Sequence, residues 1–289
     1  MKVVYMVNSQ CDTNCFHCYR DKSLVEKNVD ECENDIRCLM EQGHEVVIAG
    51  AEVLCDMRKI GLYKLVDQKY LLSNGILLAN NPIIFKNLAF HGIEKIQISW
   101  HIGFSVLAGS VPNGVILQAI RNIQQEGLDL VVSCVIGNRN FDKLNEMVKL
   151  LIENGIKEVK FLQLMPIDKK TIPYILTEHQ KEIFLDRVRQ ARQRYAKDIL
   201  YVRLHANFNS TLTDKSIEAK RLGLFCPASK EFVVVEVDGK IYPCPFLTDE
   251  EFCMGSMQKG QMIINRSIDH DGRNCLAEKI LKSEIAREI

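Results

Sequence analysis

Cys11-x3-Cys15-x2-Cys18 puts three thiols within eight residues. Thiolates that close in one segment can converge on a single metal centre, and they are spaced too tightly to pair with one another as disulfides. Two kinds of centre fit. Zinc in a closed site wants a fourth nearby ligand, which His17 could supply. A cluster of four irons held by three cysteines instead leaves one iron without a protein ligand, and that arrangement is reactive. A second set follows much later, at Cys226, Cys244, Cys253 and Cys275. Cys226 and Cys244 flank a segment, Phe232–Tyr242, that reads as a β-hairpin turning at Asp238-Gly239. The spacing Gly239-x4-Cys244 returns the chain to its starting edge, where the two thiolates can approach one centre. Cys275 follows a polar loop, Asp269–Asn274, able to fold back over the hairpin. Cys253 is the weakest ligand candidate and reads equally well as a core thiol. Four unconnected buried cysteines, or a zinc site, are the alternatives for this set. Cys32, Cys38, Cys55 and Cys134 have no metal spacing and read as buried free thiols.

The bulk numbers set the frame for these clusters. The chain has 289 residues, 37 Lys+Arg and 37 Asp+Glu, so nothing favours a polyanion such as nucleic acid. The N-terminal stretch lacks the apolar run and cleavage site of a signal peptide, and no run reaches the length of a membrane span. A cytoplasmic protein without a membrane partner is expected. Eleven cysteines, an odd number without a secretory signal, argue for metal ligation or reactive thiols over a disulfide framework.

The elements that must position the first cluster alternate. Apolar, β-branched stretches occur at Val3–Val7, Val46–Ala49, Tyr70–Leu72, Ile96–Trp100, Leu130–Ile136 and Val159–Leu164. Helical patterns lie between most of them. One spans about Val115 to Gln125 and stops at Gly127. Another spans Phe141 to Glu153, with Asn140 as N-cap and Gly155 as stop. Six such units predict an α/β fold: a partial (β/α)6 TIM-like barrel, whose ligands sit at the C-terminal ends of the strands. Thr177 and Gln180 then form a capping box for a helix to about Lys197, followed by a strand, Leu200–Leu204. His205–Lys220 reads as a connector. The expected organisation is a barrel core over 1–204 and a small β-hairpin/α auxiliary domain over 205–289.

Cys-x3-Cys-x2-Cys directly after the first strand resembles the signature of the radical S-adenosylmethionine superfamily. The resemblance implies a [4Fe-4S] cluster on Cys11, Cys15 and Cys18, whose open iron chelates S-adenosylmethionine. Reductive cleavage then gives a 5′-deoxyadenosyl radical that abstracts a substrate hydrogen. His17 stands where the family often has an aromatic residue. Ala49-Gly50-Ala51-Glu52 resembles the Gly-Gly-Glu segment that binds the cofactor's amino group, small residues exposing carbonyls and Glu52 balancing the ammonium. Ser73-Asn74-Gly75 resembles the family's Thr-Asn-Gly turn. Ser99 resembles the start of its Ser-x-Asp-Gly segment, with His101 in place of the Asp. Asn138 and Asn140 end strand five within reach of ribose or carboxylate, and Gln163 and Met165 lie where adenine contacts fall. Cys55 is a candidate hydrogen donor near the cofactor.

Cys226, Gly239-x4-Cys244, Cys253 and Cys275 resemble the SPASM and twitch extensions, implying one auxiliary Fe–S cluster. The resemblance also implies a small protein electron donor of flavodoxin or ferredoxin type. Two substrate classes follow from it: a ribosomally made peptide, epimerised, crosslinked or thioether-bridged, and a small molecule such as a sugar or aminocyclitol. The first strand begins at about residue 2, so no N-terminal peptide-recognition domain is expected on this chain. A non-catalytic Fe–S scaffold or electron-transfer protein is the reading of a different class.

Overall fold

In the computed structural model, residues 1–103, 111–196, 199–205, 207–208, 226–270, 272 and 275–288 are described. β1 (Lys2–Met6) and β2 (Glu45–Ala49) pair in parallel around α1 (Val29–Glu41). β3 (Tyr70–Ser73), β4 (Lys95–Ser99), β5 (Asp129–Ile136), β6 (Glu158–Gln163) and β7 (Tyr201–Leu204) form a second parallel run in sequence order. Between them lie α2 (Ile76–Asn80), α3 (Ile84–Phe90), α4 (Asn113–Gln125), α5 (Leu144–Glu153) and α6 (Glu178–Arg194). The two runs curl into a half-barrel with helices outside, the expected architecture.

Apolar spacing explains the helices. α5 buries Leu144, Met147, Val148 and Leu151, and α4 buries Ile116, Ala119, Ile120 and Ile123, each one stripe at the helical period. Thr177 and Gln180 cap α6 reciprocally, as their spacing predicts. That helix ends at Arg194, short of Lys197, because Tyr195 turns extended. Asn140 does not cap α5. A short 3₁₀ turn, Phe141–Lys143, intervenes, and the Asn140 side chain is spent elsewhere: its Oδ1 accepts from Gly137 N and its Nδ2 donates to the carbonyls of Ile102 and Val135. The connector expected over His205–Lys220 lies mostly outside the described residues. Cys32 and Cys134 are buried as expected, whereas Cys38 and Cys55 are partly exposed.

A seam divides the barrel. β2 and β3 share no ladder, because two 3₁₀ segments, Val53–Cys55 and Met57–Leu65, replace a crossover helix there. The Gln68 side chain closes the gap. It accepts from Ile48 N at 2.6 Å and donates to the carbonyls of Ile48 and Tyr70 at 3.1 and 2.7 Å. One amide thereby satisfies backbone groups on both lips of the seam.

The later segment is built onto this sheet. β8 (Phe232–Val235) pairs in parallel with β1, Val233 opposite Val3, and β9 (Lys240–Tyr242) returns antiparallel. Gly239, at φ 87°, makes the turn that Asp238-Gly239 predicts. β10 (Gly255–Gln258) and β11 (Gln261–Ile264) extend the same sheet. The segment also has its own apolar cluster, which includes Cys226, Tyr242, Cys244, Leu247 and Cys275. α7 (Leu276–Glu288) is tied to α6 by the buried pair Lys181–Glu278. No described helix is long and apolar enough to cross a membrane.

Candidate functional site

The first cysteines lie in the loop between β1 and α1, and a buried lysine closes the base of that loop. Lys59 Nζ donates to Val7 O at 2.8 Å and to Lys27 O at 2.7 Å, gripping both ends. Glu26 lies 4.0 Å from the same ammonium, and its Oε1 accepts from Ser9 N, Ser9 Oγ and Gln10 N. Lys59→Met leaves two carbonyls and a largely buried carboxylate without their cation, which should cost about 3 kcal/mol. Urea unfolding should show a lower midpoint at unchanged slope; an unchanged midpoint would remove the clamp from the account.

Within the loop, Thr13 Oγ1 lies 3.1 Å from Cys11 Sγ and 3.6 Å from Cys15 Sγ, and Cys18 N donates to Cys15 O at 3.0 Å. Burial raises the Cys15 thiol, and the neighbouring Cys18 and Cys11 raise it further. A cationic centre beside them would relieve that repulsion. Among the described residues, no three Cys, His, Asp or Glu side chains already stand in metal-binding geometry. Beyond Cys18, Arg20 makes a buried two-pronged pair with Glu236 at 2.5 and 2.7 Å, latching the loop to the β8–β9 turn.

His17 bears on the choice of metal. Its Nε2 is 3.0 Å from Nε2 of His101, whose Nδ1 accepts from Val135 N at 3.3 Å. The backbone donor puts the His101 proton on Nε2, which then donates to His17 and leaves the His17 proton on Nδ1. Burial holds both rings neutral, His17 down to about 4 and His101 lower still. Neither His17 nitrogen offers a free lone pair, which argues against a three-Cys, one-His zinc knot.

The strand ends meet under this loop. Asn8 Nδ2 donates to Glu52 O at 2.7 Å, and a Cβ on Gly50 would fall 2.1 Å from Asn8 Oδ1. Only glycine allows that approach. Glu52 is 1% exposed. Its Oε2 accepts from Asn74 N at 2.6 Å and Ser73 Oγ at 3.2 Å, while Oε1 has only a long contact, 3.4 Å, from Leu54 N. Asn8 Oδ1 is buried with no donor. Two acceptors with spare capacity beside Gly50 and Ala51 suit the N–H groups of an ammonium, so these residues fit the amine end of S-adenosylmethionine.

Burial pushes the Glu52 carboxyl up to about 7, against the three donors that favour its anion. The folded state therefore holds a proton that the unfolded chain has lost above about 4.5. The stability this contributes is complete below that value and disappears as pH rises through about 7, at most on the order of 3 kcal/mol. Thermal melts should show the parent losing ground to Glu52→Gln between about pH 4.5 and about pH 7. Parallel curves would mean that the carboxyl titrates normally.

Asn74 joins the two halves of the site, donating to Asp12 Oδ1 at 2.6 Å and lying 3.8 Å from Cys11 Sγ. Asn74, Ser99, Trp100, His101 and Asn113 line a small cleft together with Cys15. Cys55 lies near Asp12 and Cys11, and its thiol is pushed up to about 11, by burial first and then by Asp12 and Glu52. The other expected contacts fall elsewhere. Asn138 Nδ2 donates to Pro173 O, Gln163 is clamped through its backbone by Asn207, and Met165 packs among the C-terminal cysteines. None of the three lines this cleft. Asn8, Asp12, Thr13, Glu26 and Lys59 belong to the site without any motif to mark them, since their partners lie on other segments.

In the later set, Cys226, Cys244 and Cys275 are buried in one apolar cluster, with Cys253 packed at its edge. Cys226 N donates to Gly272 O, which brings Gly272 against the segment that precedes the hairpin. Burial holds the Cys244 thiol far above its ordinary range and Cys275 up to about 12; Cys275 and Cys226 add to the first, Cys226 to the second. Three buried thiols that repel one another when ionised suit a shared cationic centre. The Cys253 thiol donates to Gly255 O at 3.3 Å.

No family model matches the chain. It is 21% identical over 282 aligned positions to a probable GTP 3′,8-cyclase of Sulfurisphaera tokodaii, covering 90% of this chain and 85% of that protein. It is 22% identical to an uncharacterized protein of Methanocaldococcus jannaschii, covering 96% of each. Among solved structures it resembles anSMEcpe with bound AdoMet (TM-score 0.66, 17% identity, 89% of this chain and 77% of that one). It also resembles SuiB of Streptococcus suis bound to the precursor peptide SuiA (TM-score 0.69, 18% identity, 86% and 60%). At these identities the solved structures share the fold.

Proposed function

We propose that the chain is a radical S-adenosylmethionine enzyme. The observation that carries this reading is one arrangement: three cysteines on the loop after β1, of which Cys15 lines a cleft built from the ends of β3 and β4 and Cys11 lies beside Asn74. Cys11, Cys15 and Cys18 would hold a [4Fe-4S] cluster. Asn8, Gly50, Ala51 and Glu52 would receive the amine of S-adenosylmethionine, with Asn74 and Ser99 beside it and His17 and His101 forming one wall. Bound together, cluster and cofactor would supply one-electron reductive cleavage to methionine and a 5′-deoxyadenosyl radical, the electron coming from a donor of flavodoxin or ferredoxin type. Asn138, Gln163 and Met165 would act on the cofactor from outside the cleft.

Residues 205–289 are proposed as the auxiliary-cluster module on the 1–204 core, with Cys226, Cys244 and Cys275 as ligands and Cys253 as the fourth. The proposed substrate is a ribosomally made peptide, a reading supported by the shared fold with SuiB, which was solved with its precursor peptide. A small-molecule substrate is the second reading, favoured by the likeness to a probable GTP 3′,8-cyclase. The deciding experiment is anaerobic reconstitution with iron and sulfide, reduction, and assay for 5′-deoxyadenosine. A protein that carries zinc and forms none overturns the proposal.

A further inference from the structure

The concave face of the half-barrel carries charged side chains that neither cysteine set uses. On β6, Val159 and Phe161 are buried toward the helices, Phe161 meeting Phe184 of α6 edge-on at 5.4 Å. The alternating Glu158 and Lys160 therefore point to the concave side. β7 does the same, burying Val202 and Leu204 and leaving Arg203 on that side. The register sets Ser99 opposite Ser133, Ser133 opposite Lys160, and Lys160 opposite Arg203. Four polar side chains thus form one row across β4, β5, β6 and β7.

Below that row the charges are paired. Glu158 binds Lys95 at 2.8 Å and Arg203 at 2.7 Å, and Lys2 binds Glu45 at 2.7 Å. Lys160 is the exception. It is mostly buried and makes no hydrogen bond or ion pair among the described residues. Burial pulls its ammonium below the usual lysine range, Arg203 and Lys2 add to this, and Glu158 opposes it. His205 beside it is held neutral by burial, down to about 3. Four cations therefore face two carboxylates, and the most buried of the four has no counterion. A desolvated, unpaired cation destabilises a fold, and a bound anion removes that cost. Ser133 Oγ accepts from Gln97 Nε2 at 2.7 Å, so its own hydrogen is left to donate.

We propose that Lys160, Arg203 and the Ser133 hydroxyl form an anion-binding subsite that takes a carboxylate or phosphate group of the substrate. Ser99, at the other end of the row, lines the cleft beside Cys15. Lys160 lies two strands away, about 10 Å at the usual strand spacing. An anion held there leaves the rest of the same molecule to extend along the row toward the cleft. The subsite's role in catalysis rests on the enzyme reading above; the anion site itself does not.

The test is calorimetric titration of the full chain at low ionic strength with inorganic pyrophosphate and, separately, with succinate. Parent, Lys160→Met and Lys149→Met are compared, Lys149 being exposed on α5. At least one anion should bind the parent saturably, about tenfold or more weaker in Lys160→Met and unchanged in Lys149→Met. Preference for pyrophosphate identifies a phosphorylated substrate, and preference for succinate a carboxylate. Lys160→Met should melt no lower than the parent, and the bound anion should raise the parent's melting temperature more than the variant's. Absence of saturable binding, equal binding by Lys160→Met, or equal melting shifts would each overturn the subsite. None of these results alters whether 5′-deoxyadenosine forms.

Discussion

Replacing Cys11, Cys15 and Cys18 together by Ala should abolish formation of 5′-deoxyadenosine by the reduced, reconstituted protein, a loss limited only by the detection floor of the assay. Among the described residues, no other side chain near the cleft can substitute. His17 has its Nε2 engaged by His101, and Cys55 lies across Asp12 with a thiol held at about 11. Asn74, Ser99 and Glu52 are oxygen or amide groups, poor ligands for iron–sulfur chemistry. The fold should survive. The loop's base is held by Lys59, Glu26 and Ser9, and its far arm by Arg20 on Glu236, none of which uses Cys11, Cys15 or Cys18. Circular dichroism and the unfolding midpoint should therefore match the parent. Cleavage retained by the triple variant would remove these cysteines from the mechanism.

The same variant should still bind about four irons, on the later cysteines alone. Adding Cys244→Ala should release most of them, because Cys244 is the thiol whose charge is felt alongside both Cys226 and Cys275. Adding Cys38→Ala should release none: Cys38 lies on α1 with its sulfur against Gly260, remote in sequence and packing from that cluster. Iron and sulfide are counted per chain after desalting. Zero iron in the triple variant would withdraw the auxiliary cluster. Retention after Cys244→Ala would move it to other ligands.

Sequence reading succeeded where the determinants are local. The alternation of strands and helices, the Thr177–Gln180 box and the Asp238-Gly239 turn each depend on residues a few positions apart. The Cys11–Cys18 loop was legible for the same reason, since a motif is local by definition. Asn140 marks where the reading ends. Its type and place fit an N-cap, but Ile102 and Val135 offered better-placed acceptors from neighbouring segments. Gln68 could not be found either, because nothing near residue 68 shows that two strands fail to pair. The Lys59 clamp, the His17–His101 contact and the Arg20–Glu236 latch join residues 32 to 216 positions apart. Tertiary packing alone selects such partners. The row from Ser99 to Arg203 needed the register of four strands before its unpaired cation could be seen.

The pairing of β1 with β8 has a consequence for how the chain comes to be folded. β1 leaves the ribosome long before β8, one of its two neighbours, which is encoded more than 220 residues later. At ordinary elongation rates that edge waits on the order of ten to forty-five seconds for its partner. Through that interval the segment bearing Cys11, Cys15 and Cys18 has Lys59 at its base but no Glu236 to receive Arg20. Contacts this distant in sequence also slow the final search, since a long stretch of chain must be ordered before they reward it. Metal delivered early would meet a loosely held set of thiols beside an unpaired strand edge, a combination prone to misassembly. The topology thus favours maturation after synthesis, with the turn after a late strand, β8, fixing the loop after an early one.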